Sequence, residues 1–335
     1  MRNSTHIITT AAIAMLVASS LFAQDDVAIT SQISLCGHAA DCGASESESG
    51  CAVPDDSCGR HCDDCDKCCF EPTWEFRGGW LMLRRDIRGT GTAASLGAGE
   101  VLSTVNQYDT NYSSGFELNA RRRFDARVVE LNYFQVDSFR ATVTGASSNG
   151  PFVSDYDSAL YNFEANVLSD TGSPLRLLAG FRYIAYNDVL DQQTTNIYSA
   201  LTVNNDLFGG QVGGELDLYP FNRYDGLFHL RAFAKFGIFG QQSSASSILL
   251  FNGGSLPVAG SSHNDTTLLS EAGITGGIQV APAVTIDWGY RVLYFDGIAT
   301  AGDTVTSSNV GGGTTTVDTG SILFHGFTLS TTLTY

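Results

Sequence analysis

The chain has 335 residues, of which 43% are hydrophobic and only 16% charged, a balance too apolar for a disordered protein. Its formal charge of −17 excludes phosphate neutralisation of bulk nucleic acid as a main activity. Lysine is nearly absent, Lys67 and Lys235 being the only two, so the positive charge is carried by arginine, which suits enclosed and paired settings.

Residues 1–23 have the pattern of an export signal. Arg2 gives a positive start, Ile7 to Phe22 is apolar without charge, and Ala23 precedes Gln24, Asp25 and Asp26. The alternative, a membrane anchor, has a run short for a span. The first cysteine is Cys36, so no lipidation site follows the cut.

Residues 24–72 form an acidic, cysteine-rich segment. All eight cysteines fall here: Cys36, Cys42, Cys51, Cys58, Cys62, Cys65, Cys68 and Cys69. Eleven acidic residues face only Arg60 and Lys67, and large apolar side chains are few, so no core is expected. His61, Cys62, Cys65 and Cys68 have spacings compatible with a metal, but the second CxxC of a zinc ribbon is missing. An exported chain favours disulfides, and the pairing stays open; a solvated linker is the third reading.

From Trp74 onward the hydrophobic period is two. In Val284–Phe295, Val284, Ile286, Trp288, Tyr290, Val292 and Tyr294 oppose Thr285, Asp287, Gly289, Arg291, Leu293 and Phe295. Ten such runs fall near 74–86, 112–124, 127–143, 157–168, 175–187, 206–218, 227–241, 265–280, 283–295 and 321–335. Short connections (125–126, 169–174, 219–226, 281–283) alternate with long polar ones (87–111, 144–156, 188–205, 242–264, 296–320). This arrangement predicts an all-β fold: a closed antiparallel up-and-down transmembrane barrel of about ten strands, with periplasmic turns and extracellular loops. A hairpin hidden in 87–111 or 188–205 would make twelve. A soluble sandwich also alternates, but its strands are usually about five or six residues long. Trp74, Tyr219, Trp288 and Tyr294 fall toward strand ends, where aromatic girdles belong.

The chain ends on an alternating strand whose outward set is Phe327, Leu329, Thr331, Leu333 and Tyr335. It resembles the C-terminal signal recognised by the barrel assembly machinery, with Tyr in place of the usual Phe.

Four stretches, RVVELNYFQVDSFRATV (127–143), LAGFRY (178–183), NDLFGGQVGGE (205–215) and WGYRVLYFDGIA (288–299), resemble predicted outer-membrane β-barrel proteins of planctomycetes. A more distant likeness is to pore-forming outer-membrane proteins of the Legionella type. The resemblance covers roughly 73–335. It implies a barrel in the outer membrane, with outer-membrane lipid and the assembly machinery as partners, and carries no activity.

Projected inward, the polar faces bring together Glu117, Arg121, Arg123, Glu130, Glu164, Arg182, Glu215, Arg231, Glu271, Asp287 and Arg291, joined by Glu75, Arg77, Arg176, Asp217 and Lys235. Acids and bases balance, so a paired, rigidifying plug is one expectation and a narrow pore for small hydrophilic solutes another. Adhesion through the long loops and envelope partners held through the cysteine segment are further readings. A hydrolase finds no nucleophile-bearing motif: His263 lies beside Asn264 and Asp265 in a loop. No cofactor, metal or catalytic residue is assigned. The mature chain is expected in the outer membrane with its N-terminal segment in the periplasm.

Overall fold

A computed structural model describes residues 74–87, 92–96, 100–104, 107–108, 110–124, 126–147, 150–219, 228–251, 254–255, 259–307 and 316–335. The expected signal, the cysteine segment and all eight cysteines lie outside the described residues.

Among the described residues the strands are β1 (Trp74–Ile87), β2 (Thr92–Leu96), β3 (Glu100–Thr104), β4 (Ser113–Phe124), β5 (Arg127–Ser147), β6 (Gly150–Ser169), β7 (Leu175–Gln193), β8 (Ile197–Tyr219), β9 (Phe228–Phe251), β10 (Gly254–Ser255), β11 (Ala259–Ala281), β12 (Val284–Ala299) and β13 (Thr319–Thr334), with one short helix, α1 (Ala301–Ser307). Ten of them, β1, β4–β9 and β11–β13, pair antiparallel in a ring that closes through β8–β9 and β1–β13. The seam is fixed at its turn end by two backbone bonds, from Trp74 N to Tyr335 O (2.9 Å) and from Tyr335 N to Trp74 O (2.8 Å). The structure is therefore a closed ten-stranded antiparallel barrel.

A hairpin does lie within 87–111, but β2 and β3 pair only with each other and add nothing to the wall. The stretch 188–205 supplies no extra strand either: β7 and β8 run on through it, pairing out to Gln193 and Tyr198. The expectation of long irregular loops is corrected here and at two more places. β5 and β6 stay paired to Ser147 and Gly150, and β9 and β11 to Ser247 and Ala259. The reason is physical. Outside a nonpolar surround the outer face is polar and the inner face mixes polar side chains with apolar ones such as Leu190, Leu201 and Val203, so apolar alternation weakens while backbone pairing continues.

Alternation sorts the wall into two faces. On the outside, Phe76, Trp80 and Met82 of β1, Leu177 and Phe181 of β7, Val212 of β8, Ile238 of β9 and Leu329 of β13 are all exposed, Trp80 and Leu177 to 62%. An apolar surface continuous around ten strands is far larger than the patches of soluble monomers. At the loop end the outer face turns polar over one residue pair. Tyr133 donates to Gln135 (2.6 Å), Tyr183 donates to Asp206 (2.7 Å), and Tyr290 bonds His325, which reaches Asp86 (2.6 and 3.2 Å). Along β1, the apolar outward run from Trp74 to Met82 covers about 20 Å of barrel axis at the usual strand tilt. Tyrosine hydroxyls tied to polar partners at one edge are what an interfacial girdle requires.

Inside, the barrel is filled in tiers. Val128, Leu168 and Leu178 make a small apolar floor near the turns. Above it lies a charged tier, then an apolar tier of sixteen fully buried side chains from every wall strand except β4, including Leu83, Phe134, Phe139, Leu160, Phe239 and Phe324. The ring of Phe324 meets those of Phe139 at 5.2 Å, Phe295 at 5.8 Å and Tyr186 at 5.9 Å. Near the loops, a bulge between Asp296 and Ile298, with Gly297 at φ 85°, lets Ile298 and Ala299 both turn inward.

Candidate functional site

The charged tier is built by inward positions of eight strands. Arg291 on β12 donates to both oxygens of Glu117 on β4 (2.8 and 2.9 Å) and lies 3.3 Å from Glu271 on β11. Arg182 on β7 takes the other oxygen of Glu271 (2.6 Å), donates to Asn162 on β6 (2.6 Å) and approaches Glu164 (3.6 Å). Glu164 also accepts from Lys235 on β9 (2.7 Å) and Gln211 on β8 (2.9 Å). A second chain runs from Glu130 on β5 through Arg121 (2.6 Å) to Glu215, which Arg176 meets at 3.2 Å. Arg231 holds Asp217 at 2.7 Å. Asn166 joins the two chains by donating to Glu130 (2.9 Å) and Glu164 (3.2 Å). Each carboxylate that leaves water in this tier meets a guanidinium or ammonium, the condition under which buried charge is tolerable.

Of the residues expected in a lumen network, Glu117, Arg121, Glu130, Glu164, Arg182, Glu215, Arg231, Glu271 and Arg291 fall in these chains. Asp287 stands slightly apart, with the Thr332 hydroxyl and with His229 at 3.3 Å. Arg123 is not among them. It lies one residue from the end of β4, so its inward side chain clears the rim and pairs with Asp170 (2.8 Å) while 43% exposed. The four residues of the C-terminal pattern, Phe327, Leu329, Leu333 and Tyr335, are all exposed on the outer face.

Between this tier and the turn end lies a cavity of about 120 Å³. Its walls carry Asn119 and Asn132 on one side, Phe233, Thr275 and Asp287 on the other. Arg77 and Arg231, each about a fifth exposed, stand where it meets the outside. Gly273 makes room for Phe233: a Cβ there would come within 2.6 Å of the ring.

A second polar cluster, absent from the sequence expectations, sits above the apolar tier. Arg85, wholly buried, donates to Asp188 (3.1 Å), Ser158 (2.5 Å) and Tyr186 (3.3 Å) and stacks over Tyr156 at 4.2 Å. Tyr156 donates to Asp188 (2.5 Å). The loop segments close down on this cluster. Ala301 at the start of α1 donates its backbone N–H to Asp188 (2.8 Å), Tyr108 donates to Ser154 (2.5 Å), and Thr110 donates to the carbonyl of Arg85 (2.9 Å). A signal for it existed. Leu81, Leu83 and Arg85 share one parity, as do Ile184, Tyr186 and Asp188, so the inward face turns apolar and then polar again along each strand.

Burial lifts the Asp303 carboxyl in α1 above its usual 3.8; Thr300 opposes the shift, and Asp318 and Asp188 add to it. A raised folded value favours the protonated form. Its contribution to seating α1 is therefore complete below 3.8 and is lost as pH rises through the folded value. Amide protection at Ala301–Thr304, corrected for intrinsic exchange, is expected to fall as pH rises through that window. Protection that stays flat or climbs would refute this.

Among the described residues, His263 and His325 form no nucleophile–base arrangement with serine. His263 is half exposed beside Asp265 (3.6 Å), and His325 points outward at the girdle.

No protein-family model matches the chain, and no curated protein sequence matches it significantly. Among solved structures it is similar to the outer membrane protease OmpT from Escherichia coli (10% identity, TM-score 0.49, covering 78% of this chain and 97% of that one). It is also similar to the translocator domain of the autotransporter NalP from Neisseria meningitidis (10%, 0.43, 78% and 88%) and to the Pseudomonas putida toluene transporter TodX (11%, 0.37, 78% and 90%).

Proposed function

We propose that this chain is an outer-membrane barrel with a structural, non-conducting role in the envelope. The apolar tier carries the reading: sixteen fully buried side chains cross the bore between two polar tiers. A hydrated ion entering that tier would lose its water with only the Tyr186 hydroxyl, already engaged by Arg85, to replace it, at a cost of several kcal/mol or more. The girdle and the outer apolar belt support insertion in a bilayer. Short turns at the end of the barrel where β1 starts and β13 finishes support a periplasmic orientation for that side, and with it for the cysteine segment ahead of β1 in sequence. The likeness to planctomycete barrels fits this placement. Purified native protein in planar bilayers is expected to show no unitary steps above the leak. Reproducible discrete steps would overturn the reading.

A second reading, surface contact, is favoured by one observation. The β9–β11 hairpin extends far past the girdle, with Gln242, Ser244 and Ser246 on its outer face. Shortening it to Gly240 and Thr266 should abolish any cell-surface adhesion while leaving the barrel folded.

A further inference from the structure

We infer that the cavity at the turn end is a binding site for a neutral polyhydroxylated solute of monosaccharide size or smaller. The inference goes beyond the sealed-barrel reading and does not depend on it, because a conducting barrel would keep the same cavity walls.

Three hydrogen-bonding groups in the wall are unused. Asn119 on β4 and Asn132 on β5 are register partners, so their side chains stand next to each other on the inward face. They are 5% and 3% exposed, and neither side-chain carbonyl oxygen has a donor. Arg291 spends one terminal nitrogen on Glu117, while Nη1 has no acceptor. Two acceptors and one donor without partners thus belong to nearly buried side chains that line the cavity. Leaving such groups unmet costs about 1–3 kcal/mol each.

The charges around them do not select an ion. Glu117 is held by Arg291 and by Arg77 (3.0 Å), and Glu130 and Glu215 by Arg121. Beside the Glu75 carboxylate near the start of β1, what remains on offer is hydrogen bonding without net charge: amide oxygens, one N–H of a guanidinium already paired with Glu117, and the hydroxyls of Thr275, Thr285 and Thr328. Phe233 adds a flat apolar wall. Vicinal hydroxyls can both donate to the asparagine oxygens and accept from Arg291 and the threonines. The C–H face of such a molecule can rest on the phenyl ring. One polyol replacing several confined waters keeps their hydrogen bonds and returns their ordering entropy.

The test is calorimetric titration of the full chain in a detergent without a sugar headgroup. Glycerol, myo-inositol and D-glucose serve as probes, with potassium chloride and sodium phosphate as comparators. At least one polyol is expected to saturate in the millimolar range or below, with neither salt competing. Asn119→Leu and, on the opposite wall, Phe233→Leu should each weaken it about tenfold, each variant first shown to migrate as a folded barrel. Three outcomes would overturn the inference: no saturable binding of any polyol up to about 20 mM, binding unchanged in both variants, or phosphate binding in preference.

Discussion

Phe324→Ala is expected to destabilise the barrel strongly and yet leave it silent in planar bilayers. Phe324 is fully buried and touches three aromatic rings, those of Phe139, Phe295 and Tyr186. Truncating such a ring costs about 3–5 kcal/mol through lost transfer energy and the cavity left behind. The temperature at which the fast-migrating folded band disappears from detergent gels should fall accordingly. Conductance should stay absent because the closures act in series. Below Phe324, Arg182 and Glu164 are wholly buried in the charged tier. Above it, Arg85 and Asp188 are wholly buried under α1. A cavity lined by apolar groups also stays dry unless polar partners enter it. Discrete steps from Phe324→Ala alone would mean that the charged tier is porous and that a single apolar layer does all the sealing.

Arg182→Met should destabilise by about 3 kcal/mol, near the lower end for removing one partner of a buried ion pair. Arg182 bonds Glu271 and Asn162 at 2.6 Å and has no exposure. Its loss does not leave the acids wholly alone. Glu164 keeps Lys235 at 2.7 Å, and Glu271 keeps Arg291 at 3.3 Å. That residual pairing sets the estimate below the largest effects known for such deletions. Adding Glu271→Gln to Arg182→Met should recover more than half of the loss, because the carboxylate left short of a cation is then neutral. Arg182→Lys should fall between: the charge remains, but an ammonium cannot reproduce a fork that serves Asn162 and Glu271 together. Urea titrations of folding into lipid vesicles measure all three. A single variant as stable as the native chain, or a double variant worse than the single, would remove Arg182 from the centre of the network.

Several features were readable in the residues because strand physics makes them local. A period of two assigns faces without knowledge of neighbours, so the outward set Ile286, Trp288, Tyr290 and the inward set Asp287, Arg291 follow from parity alone. Run length and the rhythm of short and long connections then point to a closed membrane barrel. Parity along a strand carries no information about height. Parity states that Arg123 faces inward but not that it clears the rim to meet Asp170. It states that Leu293 and Phe295 share a face with Arg291, but not that their counterparts on eight other strands stand at the same level and close the bore. Polar extensions such as Gln242–Ser247 read as loop because their pairing leaves no apolar trace.

The residues by themselves determined which side chains face the bilayer and which face the bore, since that depends only on alternation along each strand. Tertiary structure alone decided that the bore is tiered and shut. The stagger between ten tilted strands sets which inward residues share a level, and pairs as distant in sequence as Glu117 and Arg291, or Arg85 and Asp188, meet only after the ring closes.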